Sequence, residues 1–165
     1  MRSRNFTYSY SEFEKEDRLE SDISELIEYA RKSALNAYAP YSGFRVGAAV
    51  RLKSGKIITG TNVENAAFPS GICAERNALA NSVSNNPGDV PVAIAIAAMK
   101  GDSYTDEPVT PCGNCRQVLA EEEMKNGTPV KLILSGSKKT FIIESSRDLL
   151  PLQFNLKNFR PDPLS

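Results

Sequence analysis

The sequence contains no histidine, only three cysteines, and no excess of either charge: 20 Lys+Arg balance 20 Asp+Glu over 165 residues. Without histidine there is no Ser-His-Asp triad, no Cys-His dyad, and no imidazole ligand for a metal. A hydrolytic enzyme built from this chain needs another base, and a metal site must lean on its cysteines. Their odd number cannot pair off, and they are too sparse for the disulfide scaffold of a small secreted domain. No stretch approaches the roughly 20 apolar residues of a membrane span. The opening MRSRNFTYSYSEFEKEDRLE lacks the apolar run of a signal peptide. Together these absences point to a reduced, cytoplasmic protein. Balanced charge gives no bulk attraction for nucleic acid or an anionic membrane.

What is present fits one domain, long enough to bury a real core, at 41% hydrophobic and 24% charged residues. Residues 1–20 read as a polar N-terminal arm, 21–155 as the folded domain and 156–165 as a tail. Ile23, Leu26, Ile27, Ala30, Ala34 and Ala37 recur at spacings of three and four, so a helix runs from Ser21, its candidate N-cap, to about Tyr38. Pro40 ends it. Val46 to Leu52 and Ile57 to Thr61 read as a hairpin around Ser54-Gly55-Lys56. A helix follows from Cys73 to about Ser84. Val90 to Met99 is an apolar run suited to a strand buried on both faces. Cys112 to Gly127 makes a third helix, and Val130 to Ser135 and Thr140 to Glu144 are strands flanking a GSKK turn. The order α-β-β-α-β-α-β-β implies a mixed sheet of about five strands with helices on its faces.

The cysteines carry the chemistry. Cys112 and Cys115 form PCGNC at one helix start, and Cys73 opens another. Two thiolates of a CxxC turn converge on one point, and helix N-termini stabilise thiolate charge. A lone cysteine is ordinarily a small buried hydrophobe, and a lone CxxC is as readily a redox pair. Three cysteines at helix starts favour zinc. Three protein ligands plus one open position is the catalytic arrangement, whereas a structural site takes four. Glu75, in CAER, can reach that open position as general acid and base. Arg76 follows, placed to hydrogen-bond the thiolates and draw off charge, a role also open to Arg116.

CAE followed by PCxxC is the zinc deaminase signature with cysteine in the histidine position. AYAPYSGFRVGAAV (37–50), GTNVENAAFPSGICAERNAL (60–79), TPCGNCRQVL (110–119) and LLPLQF (149–154) resemble the small, homotetrameric cytidine deaminases over about residues 21–155. That resemblance implies a three-layer α/β/α sandwich around a five-stranded mixed sheet. It implies hydrolytic deamination of cytidine and deoxycytidine with one Zn²⁺ per subunit. Cys73, Cys112 and Cys115 would hold the zinc, and Glu75 would shuttle protons. Asn62 and Glu64 would hold the ribose hydroxyls, Phe44 would pack on the pyrimidine, and the Ala74 backbone would contact the base. Phe154 would reach a neighbouring subunit's pocket. Phe68 stands where the family often has tyrosine.

Two other functions compete. One is a zinc deaminase acting on an aminonucleoside antibiotic such as blasticidin S or on cytosine in nucleic acid. NVEN favours a sugar with free hydroxyls, and no basic stripe suits a polynucleotide. The other is a zinc-stabilised binding module, which has no use for an acid beside an open coordination position.

Overall fold

Strict alternation along the central strands decides which layer each side chain joins. The computed structural model describes residues 1–15 and 17–155. Three strands supply most of the centre: β2 (Phe44–Leu52), β4 (Pro91–Lys100) and β6 (Lys131–Ser135). Ala48, Val50, Leu52, Ile94, Ile96, Leu132 and Leu134 pack on one side, against Ala74, Ala78 and Leu79 of α2 (Ala74–Asn85) and Leu119 of α3 (Gly113–Asn126). Ala49, Ala95, Ala97 and Ile133 pack on the other, against Ile23, Leu26, Ile27 and Ala30 of α1 (Ser21–Ala34). The result is the expected α/β/α sandwich.

The alanine-rich α1 side lets that helix lie close, and Gly47 of β2 permits the closest approach, since a Cβ there would strike the backbone of Ala30 and Ala34. Branched side chains fill the α2/α3 side.

With β1 (Ser11–Glu14), and with β3 (Ile57–Thr61) and β7 (Lys139–Ile143) completing the expected strands, the sheet order is β1-β7-β6-β4-β2-β3. Only β4 and β6 pair in parallel among the described strands, and α3 makes their crossover; the other pairings are antiparallel.

The sheet has seven strands rather than five. The additions are β1 (Ser11–Glu14), which pairs with β7 from within the polar arm, and the two-residue β5 (Ser103–Tyr104), which folds back on β4. Both are too short and too polar to show an apolar period. The α1 helix stops at Ala34 because Asn36 and Ala37 bond three residues back and Tyr38 donates instead to the Asn62 carbonyl. Glu20, not Ser21, flanks its start, and no side chain caps it. Residues 156–165, the expected tail, lie outside the described residues. No helix among the described residues is long and apolar enough to cross a membrane.

Candidate metal centre and cleft

Each thiol group is delivered by a helix start. Cys73 and Cys112 are the residues immediately before α2 and α3, with extended backbone (ψ 152° and 169°). Their carbonyls already accept the first helical bonds, from Asn77 N–H (3.0 Å) and Arg116 N–H (2.9 Å). Cys115 lies in the first turn of α3 and is fully buried. The Sγ atoms of Cys73 and Cys112 are 3.8 Å apart, those of Cys112 and Cys115 3.5 Å, and all three lie within 4.8 Å of one another. Zn–S bonds of 2.3 Å in a tetrahedron place sulfurs about 3.8 Å apart. The spacing therefore fits zinc, and with only three thiol donors it leaves one position open.

The electrostatics ask for a cation. Burial pushes the Cys73 and Cys115 thiols up, and the nearby Glu75 charge adds to the effect. At Cys112 burial works in the same direction but is outweighed: hydrogen bonds from Cys115 N–H, the other two thiols and Asn114 N–H bring that thiol below its ordinary value. These amides are the free donors of a helix start. Glu75, in the first turn of α2, is 5% exposed, and burial raises its carboxyl above its ordinary value, opposed by its own backbone N–H, the Cys115 thiol and Arg76. Arg76 Nη2 donates to the Gly71 carbonyl (3.2 Å), and its Nε is buried with no partner among the described residues. Arg116 is committed elsewhere: Nε donates to the Pro111 carbonyl (2.9 Å) and Nη1 to that of Leu149 (3.1 Å).

A cleft of about 650 Å³ opens onto this cluster. Cys73, Ala74, Glu75 and Cys112 form its floor, Phe44 and Val46 one wall, and Asn62 and Glu64 its polar rim. Of the sequence-predicted residues, the structure brings Phe44, Asn62, Glu64, Cys73, Ala74, Glu75 and Cys112 together here. Phe154 does not line the cleft and is 60% exposed. Just before it, Leu152 adopts a left-handed φ of 53°, a conformation that costs an ordinary residue of order 1 kcal/mol.

Two rim residues do work that the sequence did not reveal. Asn62 Oδ1 accepts from Val46 N–H (2.7 Å), and its Nδ2 donates to the Phe44 carbonyl (2.9 Å), so this amide pins the start of β2. An amide has a second N–H and a second lone pair to spare. Glu64 accepts from the N–H groups of Tyr41 (2.8 Å) and Ser42 (3.3 Å) and from the Ser42 hydroxyl. The hydroxyl bond, chiefly, holds the Glu64 carboxyl below its usual range. Sequence reasoning also missed Tyr41, Ile72, Val109 and Thr110 as cleft walls. The Tyr41 ring meets Phe68 edge-on at 5.7 Å. No local pattern marks residues that become neighbours only when three loops meet.

An α/β/α sandwich whose two helix starts gather three thiolates beside a buried carboxylate defines a zinc-dependent deaminase. Residues 20–128 match the family described as cytidine and deoxycytidylate deaminase zinc-binding region. The chain belongs to that family. A cytidine deaminase of Halalkalibacterium halodurans is 48% identical over 61% of this chain and 71% of its own. The crystal structure of a cytidine deaminase from Burkholderia pseudomallei is 39% identical, covering 79% of this chain and 98% of its own, with a TM-score of 0.66. That of the Mycobacterium tuberculosis cytidine deaminase is 31% identical, covering 83% and 100%, with a TM-score of 0.65.

Proposed function

We propose that this protein converts cytidine and deoxycytidine to uridine and deoxyuridine by hydrolysis of the C4–amine bond, releasing ammonia. The observation that carries the reading is Glu75, a buried carboxylate beside three thiolates at the floor of a cleft of nucleoside size. Zinc held by Cys73, Cys112 and Cys115 would supply the Lewis acid that makes water a nucleophile at neutral pH. Glu75 takes the proton from the attacking water and passes it to N3 of the ring. It then takes the second proton, from the hydroxyl now on C4, and gives it to the amine as the C4–N bond breaks and the C4 carbonyl forms. Burial raises the basicity of its carboxylate, which suits it to both transfers.

Phe44 packs on the pyrimidine, and the Ala74 backbone contacts the base. The spare donor and acceptor of Asn62 and the ionised Glu64 hold the sugar hydroxyls. Three thiolates and Zn²⁺ sum to one negative charge, and Arg76, whose charge acts on the adjoining Glu75, offsets it from the Gly71 carbonyl that it holds. The exposure of Phe154, away from its own cleft, supports a homotetramer in which that ring enters a neighbour's cleft. On this reading residues 21–155 form the deaminase unit, flanked by the 1–20 arm and the 156–165 tail. It works on a free nucleoside rather than nucleic acid or a membrane surface. Three free cysteines support a reducing, cytoplasmic location.

Replacing Glu75 with Gln keeps the side-chain shape and removes the base. The expected result is loss of ammonia release from cytidine with one zinc per chain retained by metal analysis. Undiminished turnover in Glu75→Gln would overturn the assignment.

A further inference from the structure

The turn between β6 and β7, Gly136 to Lys138, lies outside the zinc site, yet it grips the loop that leads into it. Residues 105–112 carry Val109 and Thr110, which wall the cleft, and end at Cys112. Pro108 and Pro111 have no N–H, so this loop can do little to hold itself. Its far end is fixed by Arg116 on the Pro111 carbonyl. Its near end is fixed by the turn. Ser137 N–H donates to the Thr105 carbonyl (2.8 Å) and Lys138 N–H to that of Asp106 (3.2 Å). The Ser137 hydroxyl donates to Asp106 Oδ1 (2.8 Å), and Lys138 Nζ pairs with Asp106 Oδ2 (2.7 Å).

The geometry points to Gly136 and Asp106 as positioning residues: they set the height of the 105–112 loop and so the width of the cleft at Val109 and Thr110. This rests on the deaminase reading for its kinetic consequence. Gly136 is not in the left-handed region, unlike Gly55, Gly88, Gly101 and Gly127. Its missing side chain therefore serves space rather than backbone freedom. A Cβ there would strike the Asp106 carbonyl and lie 2.8 Å from the Glu107 carbonyl carbon. The turn cannot easily retreat from such a wedge. Arg31 Nη2, reaching across from α1, donates to the Gly136 carbonyl (2.8 Å) and the Ser135 hydroxyl (3.1 Å). The Arg31 guanidinium in turn stacks 5.3 Å from the Tyr104 ring centre, and Tyr104 donates its hydroxyl hydrogen to the Arg31 carbonyl (3.1 Å). With the turn braced, the displacement falls on the loop.

The test compares Gly136→Ala, Asp106→Ala and Lys139→Met with the full-length zinc-loaded protein. Lys139→Met removes the ion pairs to Glu12 (2.7 Å) and Glu14 (3.7 Å) at the end of the same turn and leaves the Ser137 and Lys138 bonds to the loop in place, so it controls for mere loss of stability. Three quantities are measured: kcat and KM for cytidine, zinc per chain, and amide exchange in residues 105–112. Gly136→Ala is expected to raise KM about tenfold, equivalent to about 1.4 kcal/mol, with zinc content kept and loop amides exchanging faster. Asp106→Ala shifts KM and exchange in the same direction by less, and decides the matter if Gly136→Ala does not fold. Lys139→Met leaves all three unchanged. Unchanged KM and exchange in both loop variants overturn the inference, as does loss of zinc in place of a KM change. If the parent protein turns over no cytidine, the deaminase reading falls instead, and the exchange data alone decide the clamp.

Discussion

Glu64 shows how a single half-buried side chain can be tuned by two neighbours. Ser42 and the Tyr41 amide hold its carboxyl below the usual 4.5. A carboxylate whose folded pKa is depressed contributes stability above its unfolded pKa and loses that contribution as pH falls through the folded value. Because the Glu64 carboxylate sits at the solvent-screened rim of the cleft the stability effect is small, and the consequence lies in binding. An ionised acceptor for the sugar persists further into acid than for a free carboxylate. KM for cytidine is expected to stay level from pH 7 down to about 5. In Ser42→Ala the acid-side rise begins at higher pH. Identical KM profiles for the two proteins would contradict this. At this scale the sequence was legible where chemistry is rare. Three cysteines and the adjacent Glu75 stand out in any composition. Asn62 shows the limit. Its bonds to Val46 and Phe44 span 16 and 18 positions, and nothing in NVEN announces them.

Among elements, α2 matters most, because Cys73 immediately precedes it and Glu75 lies on its first turn. Its depth is set by Gly60 of β3. A Cβ at Gly60 would strike Ala78 N and lie 2.9 Å from the Ala74 carbonyl. From the opposite face, the Ser33 hydroxyl of α1 donates to the Gly60 carbonyl (2.9 Å), so the strand has nowhere to move. Overpacking of this kind costs about 1–3 kcal/mol, roughly 2–4 °C per kcal/mol for a chain of this size. Gly60→Ala is expected to lower Tm by several degrees and to weaken zinc retention against a chelator, both measurable on the purified protein. An unchanged Tm would contradict the packing account. The helices and the long strands were legible because their apolar periods are strong. The end of α1 was not, because Tyr38 leaves the helix to bond the residue just after β3, Asn62, 24 positions later. The strand β5 was not, since two residues show no period.

At the scale of the whole molecule, the N-terminal arm closes one side of the sheet. Strand β1 pairs with β7, Tyr10 packs on Phe141 at 4.9 Å, and Lys139 bridges to Glu12 and Glu14 (2.7 and 3.7 Å). An unpaired strand edge invites pairing with another chain. Removing residues 1–14 is expected to increase light scattering at concentrations where the full chain stays clear, with kcat for cytidine preserved. Equal scattering would show that the arm does not guard the edge. Layer order was legible from the α-β-β-α-β-α-β-β pattern, but the arm's place was not. SEFE is a polar tetrapeptide whose strand exists only through its partner. The central claim is that this assembly is a zinc-dependent deaminase of free cytosine nucleosides. Its most direct test is ammonia release from cytidine, deoxycytidine, CMP, cytosine, adenosine and blasticidin S, each with and without a zinc chelator. Release from cytidine and deoxycytidine, abolished by the chelator, is the expected result; no release from either by the zinc-loaded protein would contradict it.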